Sequence, residues 1–391
     1  IYNPPCSQGP GAKLYTYTIY ALSAVPAFSV PANQVTGALV SNAIAPITLA
    51  SASLNLSYSR NPSAAPGSAT NCVYIRNSLS GGAKSGGAYA GCDGTYGYIS
   101  SLSVTGDPTM NGITSTNLQV PTAQNFQGAN GWKIPLNPAL APAPTSISSG
   151  PIGVAVNGIP IFNPCVQQGC TATNGDTKAL GQLDTCNGHA GRSDDYHYHA
   201  APVCMMASQP ANYWNTHPVG WALDGFAIFG YNNADGSPAS RDSVCGGNTS
   251  AVQNAPSGYS YHLIDTFPYI TNNNLCGVPS PDLANQGSKF RPLRQPPVTP
   301  FNDTNMTLTT ASDGYQVLQF TAPNAFTTNE TGTDTYSNPP GTYKIRYIQL
   351  TGADLTAQLA LSRNAGRTAC WRFEFQDAAG NATQPSIAYC R

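Results

Sequence analysis

Two ten-residue stretches, Gly153 to Phe162 (GVAVNGIPIF) and Gly220 to Phe229 (GWALDGFAIF), are identical at five positions. What aligns at their centres constrains the fold more than the identity does. Asn157-Gly158 falls on Asp224-Gly225, each pair flanked by apolar residues. An Asx-Gly pair in that setting signals a tight hairpin, because a type I′ turn needs positive φ at both central residues. Each stretch therefore predicts a β-hairpin. The echo continues downstream, where Cys186-Asn187-Gly188-His189 aligns with Cys245-Gly246-Gly247-Asn248, and Tyr196 to His199 (YHYH) with Tyr259 to His262 (YSYH). Three matches in one order imply a duplicated unit, with His199 and His262 at equivalent places in its two halves.

The rest of the chain also reads as mostly β. Leu14 to Ala21, Ala52 to Tyr58, Tyr315 to Thr321 and Tyr343 to Leu350 alternate β-branched or aromatic residues with polar ones, the period of a half-buried strand. Helical candidates are short, Val35 to Ile44 and Ala353 to Leu361. Stretches rich in Pro, Gly or Ser (Asn61 to Thr70, Ser78 to Gly91, Phe290 to Pro300) read as linkers. The expected organisation is multi-domain: residues 1–62, a linker at 63–95 holding Cys72 and Cys92, the repeat-bearing module at 96–286, a linker at 287–300, and a β-sandwich-like module at 301–391.

Charge is scarce. Seventeen basic and eighteen acidic side chains make 9% of 391 residues, with a net charge of −1, against roughly 25% in an ordinary soluble domain. No basic excess exists to neutralise phosphates, which excludes nucleic acid as a partner. Weak self-repulsion favours association into oligomers. None of the eleven cysteines has the paired C-x-x-C spacing of a zinc ribbon, so they read as disulfides of an oxidising compartment: extracellular, cell-surface or periplasmic. Local pairing gives Cys72–Cys92, Cys165–Cys170, Cys186–Cys204, Cys245–Cys276 and Cys370–Cys390, leaving Cys6 for an intermolecular bond. No stretch approaches the ~20 apolar residues that span a bilayer. The chain opens on Ile1 rather than Met, as expected of a processed form or fragment.

The five histidines (189, 197, 199, 217 and 262) all fall in one part of the repeat module. In a strand, residues i and i+2 share a face, so His197 and His199 point one way and Tyr196 and Tyr198 the other. Such a pair presents two imidazoles to one ion. His189, from the preceding loop, His262, from the second half, and Asp224 complete the expected ligand set. Asp194, Asp195, Tyr196, Tyr198 and His217 are expected around it, orienting the imidazoles. Imidazole-rich sites suit zinc, copper, iron or nickel, and copper or zinc is the expected cofactor. Two other readings stay open: a structural network of hydrogen-bonded histidines, and metal-free acid–base chemistry. A cupin is excluded because Ala200-Ala201-Pro202 follows where a Glu is needed. There is no G-x-S-x-G elbow and no phosphate-loop G-K-[ST] ending, so no catalytic residue is nominated.

Residues 184–204 (DTCNGHAGRSDDYHYHAAPVC), 217–231 (HPVGWALDGFAIFGY) and 259–276 (YSYHLIDTFPYITNNNLC), together with Val104-Thr105-Gly106 and 150–162, resemble the YHYH domain family over roughly 96–280. The chain departs from that family's pattern in having Pro218 directly after His217 and Ala227 within the second hairpin. The resemblance implies an extracellular β-rich domain and carries no settled activity.

Residues 2–60 (YNPPCSQGPGAKLYTYTIYALSA, then VTGALVSNAIAPITLASASLNLSYSR) resemble the C-terminal half of the phosphatidylethanolamine-binding protein family. Lys13-Leu14-Tyr15 stands where that family has His-Arg-Tyr, so no anion site carries over. A strand as aromatic as Leu14 to Ala21 exposes unpaired edges, and about 60 residues bury little surface alone. An upstream fragment or a neighbouring subunit is the expected partner. The functional expectation is a secreted or cell-surface protein with a histidine-cluster metal site. The alternative is a structural or adhesive subunit of an extracellular filament, sheath or matrix, assembled through open β-edges.

Overall fold

The computed structural model describes residues 11–60, 66–79, 87–115, 119–166, 174–249, 258–290, 306–330 and 334–391. The chain divides into two units, Ile1–Ala64 and Ala65–Arg391. Strands dominate both. Among the described residues, no helix is long and apolar enough to cross a membrane.

In the first unit, the strands Gly11–Leu22 and Thr48–Arg60 pair antiparallel as a two-stranded ribbon. They run past the segments that alternation marks at both ends. Between them lies a helix, Gly37–Ile44, capped by Thr36, whose hydroxyl accepts from the Leu39 N–H at 3.3 Å. This helix buries no residue. Cys6 lies outside the described residues.

In the second unit an eight-stranded sheet carries the duplication. From edge to edge its strands are Gly188–Ala190, Tyr196–Tyr198, Pro160–Phe162, Pro151–Ala155, Gly220–Ala222, Ala227–Phe229, Ser260–His262 and Gly247–Asn248. That order is a palindrome in the repeat, since each strand of one half faces its counterpart across the middle. The two central strands pair antiparallel, Gly153 with Ala222, Val154 with Trp221 and Ala155 with Gly220. Pair and mirror pair are thus the same two equivalent positions, and a pseudo-two-fold axis passes through Val154 and Trp221. Outward, Tyr198 pairs parallel with Ile161 and Tyr261 with Ile228, again equivalent positions. The glycines shared by both halves have a steric cause. A Cβ on Gly153 meets the Trp221 carbonyl oxygen at 2.6 Å, and one on Gly220 meets that of Val154 at 2.8 Å.

The hairpins form where Asx-Gly predicts them, with a different turn. Only Gly158 and Gly225 have positive φ, at 83° and 91°, so the two-residue type I′ turn is replaced by a three-residue loop with a left-handed glycine at its end. Gly158 N–H bonds Ala155 O and Ala155 N–H bonds Ile159 O. Gly225 to Ala222 and Ala222 to Phe226 repeat the pattern. Asn157 and Asp224 keep ordinary φ, and each side chain accepts from the N–H two residues on (Ile159 and Phe226, both 3.3 Å) while reaching into the core.

The core is aromatic: Trp132, Trp214, Trp221, Tyr198, Tyr261, Phe226 and Phe229 are all fully buried. The stretch expected to link modules is built into this unit. Pro66–Ser78 is a helix, joined to the strand Tyr89–Cys92 by the Cys72–Cys92 disulfide. Its Tyr74 ring stands edge-on to Trp221 at 5.4 Å, and Ser78 Oγ accepts from Trp221 Nε1 at 2.9 Å. Pro66 is tolerated because the first helical turn has no N–H partner to lose.

Four described disulfides follow the local pairing: Cys72–Cys92, Cys186–Cys204, Cys245–Cys276 and Cys370–Cys390. Cys165 is also disulfide-bonded, and Cys170 lies outside the described residues. These bonds fit an oxidising compartment. The C-terminal module is a five-stranded antiparallel sheet in the order Thr307–Thr310, Gln316–Ala322, Gly341–Gln349, Cys370–Asp377 and Ile387–Cys390, accompanied by a ribbon of Phe326–Glu330 with Asp334–Asn338. Tyr347 of this sheet donates to the Pro121 carbonyl at 2.7 Å, and Arg391 donates to that of Ala123 while lying over the Trp371 ring.

Candidate metal centre

Strand parity places the tyrosines and histidines as expected. The rings of His197 and His199 are 5.0 Å apart on one side of the YHYH strand, and those of Tyr196 and Tyr198 are 5.6 Å apart on the other. His189 belongs to a strand rather than a loop. Gly188–Ala190 pairs antiparallel with Tyr196–Tyr198, His189 directly opposite His197, and cross-strand neighbours on one face are the closest side chains a sheet offers. The three rings pack mutually, with His189 at 4.8 Å from His197 and 4.6 Å from His199. One ligand atom from each lies within 4.8 Å of the others.

The partners of each Nδ1 determine what the Nε2 atoms can do. His199 Nδ1 stands 2.5 Å from the Asn163 carbonyl oxygen, and His197 Nδ1 3.2 Å from that of Asp195. A carbonyl only accepts, so both Nδ1 atoms carry hydrogen and both Nε2 atoms carry lone pairs. His189 Nδ1 lies 3.1 Å from the Gln182 carbonyl and 3.1 Å from the Gln119 amide, and its Nε2 is 2.9 Å from His199 Nε2. Two proton arrangements satisfy these distances. With Gln119 donating, His189 Nε2 carries the hydrogen and donates to His199, but Gln119 Oε1 is then buried without a partner. With His189 Nδ1–H donating to the Gln182 carbonyl instead, His189 Nε2 carries a lone pair. In that state two Nε2 lone pairs face each other at 2.9 Å, which is repulsive unless a cation lies between or beside them.

Burial pushes His189 and His199 well below the ordinary imidazole pKa, and the neighbouring histidines push them the same way. Both are therefore neutral, the form that ligates. The surroundings hold the rings still. Phe162 stacks on His197 at 3.9 Å, and exposure is 8% for His197 and 3% for His199. Asp195 Oδ2, buried and without a hydrogen-bond partner, lies 3.5 Å from His197 Nδ1. Burial first, then Asp195 beside it, pushes the Asp194 carboxyl up to about 7, and Gln124 donates to it at 2.9 Å.

Three sequence-predicted site residues lie elsewhere. His262 occupies the place in the second half that His199 has in the first, with Nδ1 3.1 Å from the Gly230 carbonyl, yet around it Ser260 replaces His197 and Asn248 replaces His189. Its Nε2 accepts from Ser260 Oγ at 3.3 Å. Asp224 is committed to the hairpin and accepts from Tyr261 OH at 2.6 Å and Gly277 N–H at 2.8 Å. Asn157 does the corresponding work by donating to Tyr198 OH at 3.0 Å. His217 is exposed and stacks on Tyr213 at 3.8 Å. The tyrosines of the YHYH strand serve the core, since Tyr196 donates to Asp184 at 2.8 Å.

The repeat alignment does not single out that aspartate, because with Cys186 set on Cys245 its counterpart Asp242 lies one residue out of register. Asp184 accepts from the N–H groups of Met110, Cys186 and Gly188 as well as from Tyr196. Asp242 accepts from those of Val244, Cys245 and Gly247 and from Tyr259. Each clasp fixes the edge strand that begins at Gly188 or Gly247. Asp242, Cys245 and Cys276 also lie close together, but the disulfide between the cysteines and the bonds to Asp242 leave no ligand set there.

Residues 131–245 form a YHYH domain. They match the family model described as YHYH protein, a narrower span than the resemblance over 96–280. The YHYH domain includes the triad and ends at Cys245, before Tyr259 to His262. Searches of curated proteins and of solved structures found no match. The comparisons do not support the phosphatidylethanolamine-binding-protein-like reading of residues 2–60.

Proposed function

We propose that the protein is an extracellular module that binds a transition-metal ion, copper or zinc, through Nε2 of His189, His197 and His199. One observation carries this reading: His189 and His199 present Nε2 to Nε2 at 2.9 Å while a carbonyl occupies the Nδ1 of His199 and Gln182 O with the Gln119 amide surrounds that of His189. Imidazole-only donor sets suit copper and zinc, whereas calcium and magnesium take oxygen ligands. Asp195 sets a carboxylate oxygen 3.5 Å from His197 Nδ1, the place a supporting carboxylate takes beside a ligating histidine in such centres.

The site is nearly closed. That favours retention of the ion over turnover of a large substrate, and no reaction is assigned. The test is metal analysis of protein purified without chelator, followed by equilibrium dialysis against copper and zinc. About one ion per chain, abolished in a protein lacking all three histidines, supports the reading. A metal content near zero after dialysis against both ions overturns it in favour of a hydrogen-bonded histidine network.

A further inference from the structure

In the C-terminal module, the helix Gly352–Leu359, the turn Ser362–Asn364 and the edge strand Ile387–Cys390 border a cavity of about 500 Å³. Its lining brings together Gln358, Arg363, Arg367, Ser386 and Tyr389. The chain's own bonds fix the turn that carries both arginines. Buried Asn364 donates through Nδ2 to the Gln358 carbonyl at 2.7 Å, and its own carbonyl accepts from the Arg367 N–H at 3.0 Å. The Cys370–Cys390 disulfide ties the edge strand to its neighbour.

Two unmet needs converge on this space. The first is charge. Among the described residues neither Arg363 nor Arg367 makes an ion pair, whereas Arg346 and Arg372 of the same module have carboxylate partners at 2.6 Å and 3.0 Å. The described residues that line the cavity include no Asp or Glu, and residues 1–64 contain none at all. The second need is a donor. Gln358 Oε1 is buried without a hydrogen-bond partner, a state that polar groups in folded proteins rarely keep.

We infer that this cavity binds an acidic saccharide, its carboxylate or sulfate held by Arg363 and Arg367 and one of its hydroxyls donated to Gln358 Oε1. A guanidinium pairs two N–H groups with two oxygens of such an anion. Inorganic sulfate brings no donor for Gln358, and a free amino acid brings an ammonium that two guanidinium groups repel. A sugar acid carries the anion and the hydroxyls together. Ser386 and the half-buried Tyr389 ring offer it one polar and one apolar contact more. The volume lies within the range of cavities that hold small ligands. Charged contacts near the surface make such binding weak and sensitive to salt.

Isothermal titration of the full chain with an oligogalacturonate, a heparin-derived oligosaccharide and a neutral maltooligosaccharide tests this. Saturable binding of an acidic probe, none of the neutral one, and an affinity that falls as sodium chloride is added are expected. Which acidic probe binds tells carboxylate from sulfate. Arg363→Gln and Arg367→Gln should each weaken binding about three- to tenfold, with melting temperature unaltered. Gln358→Glu sets a carboxylate among the guanidinium groups and should abolish it. Absence of binding to both acidic probes overturns the inference. So does an affinity unchanged in the arginine variants. Inorganic phosphate bound as tightly as the saccharides also overturns it, because the cavity is then a bare anion site. None of these outcomes depends on whether the histidine centre holds metal.

Discussion

His199 and His262 place Nδ1 against the same backbone position, the carbonyl that follows a strand-ending phenylalanine, Asn163 after Phe162 and Gly230 after Phe229. Equal scaffolding with unequal neighbours is what a duplicated unit looks like after its halves diverge. Two replacements separate a three-histidine cluster from a lone buried histidine, Asn248 for His189 and Ser260 for His197. The difference yields tests in which one half serves as control for the other.

Substituting alanine for His189, His197 or His199 is expected to lower metal affinity by more than the about 10–100-fold typical of losing a supporting residue. His262→Ala should leave the metal stoichiometry intact. Isothermal titration with copper and with zinc checks both, and equal losses from His262→Ala and His199→Ala would disprove the triad as the site.

Asp195→Asn keeps the shape of the side chain and removes the charge beside His197 Nδ1. A fall in affinity of about 10–100-fold is expected, with no loss of stability in the metal-free protein, since Asp195 Oδ2 has no hydrogen-bond partner to lose. An unchanged affinity means that the carboxylate plays no part in the site.

The two aspartate clasps should matter to folding rather than to metal chemistry. Asp184→Asn and Asp242→Asn each replace an acceptor of three N–H groups and a tyrosine hydroxyl, and a cost of about 2–4 kcal/mol is expected in urea unfolding. Gly188→Ala and Gly247→Ala should be comparably harmful, because a Cβ meets the tyrosine hydroxyl at 2.3 Å and 2.4 Å. Surface-like effects of about half a kcal/mol or less in all four would show that the clasps are incidental.

Burial pushes the Asp224 carboxyl up to about 6, against the pull of its bonds from Tyr261, Gly277 and Phe226. An unfolded aspartate titrates near 3.9. Between those values the folded chain holds a proton that the unfolded chain has released. The stability this group supplies is therefore complete below about pH 4 and lost as pH rises through about 6, by about 2–3 kcal/mol. Asp224→Asn removes the titration, and Asn157 shows that the amide fits the equivalent turn. Unfolding free energies of variant and wild type should diverge in the variant's favour from pH 4 to pH 7; parallel curves across that range would refute the assignment.

The local signals in the sequence were readable because they act over short separations. Asx-Gly and its flanking apolar residues placed both hairpins, alternation put His197 and His199 on one face, and cysteines some twenty to thirty residues apart found each other. The His189 position was not readable in the same way. It depends on Gly188–Ala190 folding back in register on Tyr196–Tyr198, and a slip by one residue would turn His189 to the opposite face. The turn type was misread because glycine alone supplies the positive φ, which frees Asn157 and Asp224 to serve the core.

By itself, then, the sequence determined a disulfide-stapled, mostly β chain with a repeated unit and its histidines gathered in one region, since composition, periodicity and repetition are properties of neighbours along the chain. Only the tertiary structure decided which imidazoles meet. His262 is excluded by a pseudo-two-fold axis through Val154 and Trp221 that carries the two histidine-bearing strands to opposite sides of the sheet, and His189 is included by one antiparallel pairing. The same holds for the ribbon: alternation marks the apolar residues, but only the register of Gly11–Leu22 on Thr48–Arg60 gathers them onto a single face.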